Sequence, residues 1–116
     1  MRAWRVMFAA LVLVIAWLAF SPKPPDIGTG WDKTNHLAAF AALAFVGALA
    51  STWRWRLAGG LLAYGGFIEL VQARIPGRSG EWNDLLADAL GISLGLLMSA
   101  ALAWAAQRRT NRPARR

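Results

Sequence analysis

The chain has 116 residues, of which 57% are hydrophobic and only 16% charged, and it carries a formal net charge of +7. An average soluble domain has about 25% charged residues. Cysteine is absent and histidine occurs once, which excludes disulfides, thiolate metal sites, cysteine nucleophiles and any mechanism needing two imidazoles.

A membrane-crossing helix needs about 20 predominantly apolar residues. Residues 6–20 form an unbroken apolar run without charge, and residues 37–50 form a second. Residues 57–68 follow, interrupted by glycine but not by charge; residues 85–106 are the longest run, with Asp88 the one ionisable residue. With their flanks these predict four transmembrane helices, over 4–20, 33–53, 57–74 and 83–107. A soluble helical bundle would need a polar outer face on each helix, and the first two runs have none. The fold class is therefore all-α: an integral membrane four-helix bundle in one domain, 1–107, followed by a basic, disordered tail, 108–116.

The connections are short. Residues 21–31 contain Pro22, Pro24, Pro25, Gly28 and Gly30 and cannot be helical throughout. Residues 54–56 read as a tight turn, and residues 74–83, with Pro76, Gly77 and Gly80, as a second outer loop. Nine of the thirteen basic residues fall on one side of such a bundle: Arg2, Arg5, Arg54, Arg56, Arg108, Arg109, Arg112, Arg115 and Arg116. The excess marks the cytoplasmic side, so both termini are expected in the cytoplasm and the protein in a bacterial-type inner (plasma) membrane. Trp4, Trp53, Trp55 and Trp104 then lie near the inner interface and Trp17, Trp31 and Trp82 near the outer one, the depth that indole rings favour. An alternative reads the first run as a signal peptide cleaved near Ala19-Phe20-Ser21. The tail has no interleaved aromatic residues, so it suits anionic lipid rather than nucleic acid.

Charged groups in or beside hydrocarbon are costly and hence functional candidates. Here they cluster towards the outer half. Asp32, Lys33 and His36 open the second helix, Glu69 and Gln72 close the third, Arg78 lies in the second outer loop, and Asp84 and Asp88 open the fourth. Asp32 and His36 are four apart, Glu69 and Gln72 three apart, and Asp84 and Asp88 four apart, so each pair shares a helix face. These residues are expected to converge in one pocket, with Asp32 and Lys33 at its rim. His36, Glu69, Asp84 and Asp88 are the candidates for acid/base catalysis, and Asp32, Lys33, Gln72 and Arg78 for substrate binding. Ala87, Gly91, Gly95, Ser99 and Ala103 recur every four positions, a small-residue face that lets helices approach closely in lipid. That makes the fourth helix central; Gly59, Gly60, Gly65 and Gly66 suggest close packing of the third, and the first is expected to be the most lipid-exposed.

Asp32-Lys33 with His36 and Phe40, then Gly66-x-x-Glu69-x-x-Gln72, Pro76-Gly77-Arg78, Asp84 and Gly91-x-x-x-Gly95, resemble the VanZ-like family in order and spacing over roughly half the chain. One departure is Asp88, where the family usually has asparagine. The resemblance implies a small membrane protein of the cell envelope; founding members are associated with teicoplanin resistance. It names no reaction, so whether the protein is an enzyme is left open.

From the residues themselves, the leading functional reading is an outward-facing pocket for an anionic lipid or cell-wall precursor headgroup, with Lys33 and Arg78 as the cations. The bland reading is a structural charge network joining helix ends. A membrane-embedded enzyme acting on a phospholipid, polyprenyl phosphate or glycopeptide-like substrate would use the same acids and His36, and a small proton-coupled transporter would relay through Glu69 and Asp88. A metal on His36, Glu69, Asp84 and Asp88 would suit an oxygen-preferring ion, but no H-E-x-x-H-type spacing supports it. A Ser79–His36–Asp84 hydrolase lacks the strand-turn-helix setting of a nucleophile elbow. No cofactor or metal is assigned from the sequence; the expected partners are membrane lipids, with no nucleic acid.

Overall fold

The computed structural model of the protein describes residues 2–21, 32–76 and 82–114. It is all-α, with four helices: α1 (Arg2–Phe20), α2 (Asp32–Ala50), α3 (Arg54–Gln72) and α4 (Trp82–Thr110). Three of them, α1, α2 from Lys33, and α4, are long and apolar enough to cross a membrane. The expected fourth span, α3, has the same 19-residue length as α2 but a lower hydropathy. Its glycines, the basic pair Arg54 and Arg56, and the polar pair Glu69 and Gln72 account for this.

The turn expected at 54–56 is instead the first turn of α3, and α2 stops at Ala50. The connection shrinks to residues 51–53 because Arg54 reaches back over it. Its guanidinium donates to the carbonyl oxygens of Ala48, at 2.8 Å, and of Ser51. Carbonyls in the last turn of a helix lack intrahelical partners, so one cation both caps α2 and starts α3.

α2 and α4 form the principal interface, and α1 packs on α2 and α3; among the described residues α1 and α4 share no contact. The reason for the tight α2–α4 approach is Gly91 and Gly95. A Cβ at Gly91 would collide with the Leu37 carbonyl oxygen, and one at Gly95 with that of Ala41. Ala87, Gly91, Gly95 and Ser99 of the small-residue face are buried, as expected, whereas Ala103 is exposed. At a rise of about 1.5 Å per residue, α4 overshoots α2 by roughly 15 Å, so its final turns have no helix beside them. In α3 the expectation of close packing holds for Gly65; a Cβ at Gly59, Gly60 or Gly66 would meet nothing within 4 Å.

The core below the polar residues is apolar: Phe40, Leu43 and Ala44 from α2, Leu61 and Ile68 from α3, and Ile92 from α4. α1 contributes no buried residue. It is attached by half-buried apolar contacts, by an edge-on contact of Phe20 with Phe67 at 6.0 Å, and by two hydrogen bonds. The Tyr64 hydroxyl donates to the Val12 carbonyl at 2.7 Å, and the Gln72 amide donates to the Ala19 carbonyl at 3.0 Å. α4 continues through Thr110, past the expected end at 107. Arg108 stacks on Trp104 one turn earlier, 4.2 Å from the ring centroid, and basic residues favour a helix C-terminus, so the start of the supposed tail is helical.

Candidate functional site

Three helices bring their polar residues to one end of the bundle. α2 and α4 enter from that end and α3 arrives there, so the first turns of α2 and α4 lie level with the last turn of α3. His36 on α2 is the hub. Its Nδ1 shares a 3.0 Å hydrogen bond with Asp88 Oδ1 and lies 3.9 Å from Glu69 Oε1, while its Nε2 lies 3.7 Å from Asp84 Oδ2. Lys33, one turn before His36, donates to Asp84 Oδ1 at 3.2 Å. The three carboxylates are buried (Glu69 2%, Asp84 1%, Asp88 0% exposed) and the imidazole nearly so at 11%, whereas the Lys33 side chain is 36% exposed and forms the rim.

The four candidate acid/base residues therefore share one cluster, with Lys33 at its edge as expected. Asp88 and Glu69 flank the imidazole on one nitrogen and Asp84 approaches the other. Asp32 is the first residue of α2, and its side chain lies outside the described set. Arg78 and Ser79 also lie outside the described residues. Gln72 is buried on the same end of α3, but its amide is engaged with α1 through Ala19.

Two residues beside the cluster are not among those singled out for it from the sequence. Gly65 sits one turn before Glu69, and a Cβ there would meet Asp88 Oδ2 at 2.5 Å; the missing side chain lets the carboxylate lie against the α3 backbone. Tyr64 packs against Phe40, ring centroids 6.1 Å apart, and ties α1 to α3 beneath the cluster. The signal for Gly65 was present, since a glycine four positions from a buried acid lies on the same helix face.

Chemically the cluster offers one imidazole between carboxylates and a part-exposed lysine at its edge. Among the described residues, Ser99 is the one buried polar side chain further along the bundle, and it bonds back to the Leu96 carbonyl at 2.8 Å. The intervening Phe40, Leu43, Leu61 and Ile92 are apolar.

A family profile described as VanZ/LLP1 matches residues 34–103, which includes His36, Glu69, Asp84 and Asp88. Comparison with curated proteins and with solved structures gives no match.

Proposed function

From a chain that belongs to the VanZ/LLP1 family, we propose a multi-pass protein of the bacterial plasma membrane that holds an anionic lipid or cell-wall precursor headgroup in an outward-facing pocket. The observation that carries this reading is the position of Lys33: it is part-exposed at the mouth, seated on Asp84, above a buried cluster of acid/base groups. Arg78, in the loop between α3 and α4, is the second cation available to a phosphate, and its planar guanidinium suits bidentate contact. The basic residues at the opposite end support cytoplasmic termini. Both termini share a side only if the number of crossings is even, so α3 crosses with the other three; it is as long as α2.

A second reading is catalytic. His36 lies within hydrogen-bond reach of Asp88, and an imidazole so placed transfers protons to or from a bound group. The substrate would again be a headgroup at the mouth.

Native mass spectrometry of the detergent-purified protein tests the binding reading, with wild type, Lys33→Ala and Arg78→Ala compared. The expected result is a co-purified anionic, phosphate-bearing lipid on wild type and its loss in either variant. A wild-type protein that carries zwitterionic bulk lipid only, or one whose bound lipid is unchanged in both variants, would overturn the reading.

A further inference from the structure

The helices that meet at His36 each supply one metal-binding atom. His36 Nδ1 comes from α2, a Glu69 carboxylate oxygen from α3 and an Asp88 carboxylate oxygen from α4, all within 4.8 Å of one another. We propose that these three residues form a binding site for a divalent transition-metal cation, zinc in preference to magnesium or calcium.

The spacing supports this. Zinc bonds nitrogen and oxygen at about 2.1 Å, so neighbouring donors in a tetrahedral site stand about 3.4 Å apart. The Nδ1–Asp88 and Nδ1–Glu69 separations are 3.0 and 3.9 Å, on either side of that value. The carboxylate oxygens of Glu69 and Asp88 lie within 4.8 Å of each other, so the two side chains close by up to about 1.4 Å to reach the tetrahedral spacing. Gly65 contributes to the fit, since its missing Cβ is what allows Asp88 to lie against α3 beside Glu69.

A separate observation concerns the other ring nitrogen. Asp84 Oδ2 lies 3.7 Å from His36 Nε2, and Asp84 is itself held by Lys33. A metal-bound imidazole characteristically directs its remaining N–H at a carboxylate, which sets the ring's orientation and raises its basicity. Asp84 and Lys33 are thus positioning residues in this arrangement, and Asp84 is not a ligand. The donor set also selects the ion. Magnesium and calcium prefer six or more oxygens, whereas one imidazole and two carboxylates suit zinc and leave a fourth position for water or a substrate oxygen. His36, at 11% exposed, is the least buried of the three ligands. A cation there would offset the carboxylates and meet a phosphate oxygen directly. That last link rests on the headgroup reading, whereas the metal site rests on the donor geometry alone.

The test uses the full-length protein in detergent, without a histidine tag, stripped with EDTA and titrated calorimetrically with zinc chloride and, separately, magnesium chloride. One equivalent of zinc and no magnesium is the expected result. Glu69→Gln and Asp88→Asn should abolish the zinc signal, and Asp84→Asn should weaken affinity about 10- to 100-fold, as loss of a carboxylate behind a ligating histidine does. Zinc binding absent from wild type, or unchanged in Glu69→Gln and Asp88→Asn, would overturn the site; His36 would then be an imidazolium held between carboxylates. Should those variants fail to fold, cobalt(II) added to wild type decides the same question. Intense visible bands of a low-coordinate site support it, and the weak spectrum of aqueous cobalt refutes it. Because these measurements read the bound metal and not the lipid, the metal site and the headgroup reading can fail independently.

Discussion

Gly91→Ala is the most direct probe of how the bundle is held together. The added methyl would collide with the Leu37 carbonyl oxygen and lie 3.1 Å from both the Leu37 carbonyl carbon and the Ala41 nitrogen. All three are backbone atoms inside α2, so no rotamer change relieves the contact. α4 must back away from α2 by up to about 1 Å, and a gap of that order forfeits a quarter to a half of the dispersion energy of each facing pair. Overpacking of this kind costs about 1–3 kcal/mol. A rigid backbone contact puts this at the upper end, about 3 kcal/mol, and since alanine recovers up to about 1 kcal/mol over glycine in a helix interior, the net loss is about 2 kcal/mol. Gly59→Ala and Gly60→Ala are the controls: nothing lies within 4 Å of either Cβ, so only the propensity gain of up to about 1 kcal/mol remains. Equilibrium unfolding in mixed detergent micelles, followed by far-ultraviolet circular dichroism, measures all three. If Gly91→Ala matches or exceeds the wild type in stability, as the controls should, the α2 and α4 backbones are not in contact and the close approach at Gly91 is refuted.

Three further outcomes are expected. Tyr64→Phe and Gln72→Leu each remove one hydrogen bond to an α1 carbonyl and should each cost about 1 kcal/mol; hydrogen exchange should rise in α1 first, and an equal rise in α4 would show that these bonds do not hold α1 in particular. Lys33→Ala leaves the buried Asp84 carboxylate without its 3.2 Å partner. Breaking a buried pair costs about 3–5 kcal/mol, and the partial exposure of Lys33 reduces the expectation to about 1–2 kcal/mol. A double-mutant cycle with Asp84→Asn should return most of that as coupling energy, and zero coupling would show that the ion pair contributes nothing to stability. Because the chain has no cysteine, single Gly28→Cys, Gly80→Cys and Trp55→Cys variants report topology cleanly. Impermeant maleimide added to intact cells should label the first two and not the third, and the reverse pattern inverts the orientation.

The helices and the polar residues that matter were legible from the sequence, because both signals are local. An uninterrupted apolar run such as 6–20 has few alternatives to a lipid-facing helix, and a carboxylate such as Asp88 inside such a run is conspicuous against it. The four-residue spacing of Ala87, Gly91, Gly95 and Ser99 likewise named the packing face of α4, since helical periodicity converts spacing into a shared face. What the local signals left open was which partners meet. Spacing put Asp32 and His36 on one face of one helix, but it could not show that Asp88 and Glu69, from two other helices, flank the His36 Nδ1 and Asp84 its Nε2. A metal reading lacked a recognisable motif because its three donors come from three different helices rather than from one. Likewise Arg54 ended one helix and started the next through carbonyls three and six residues away, turning an expected turn into helix. Those outcomes depend on helix register and on how closely backbones approach, which Gly65, Gly91 and Gly95 control. The effect of a missing Cβ is defined by the atoms opposite it, and in a bundle those atoms belong to distant parts of the chain.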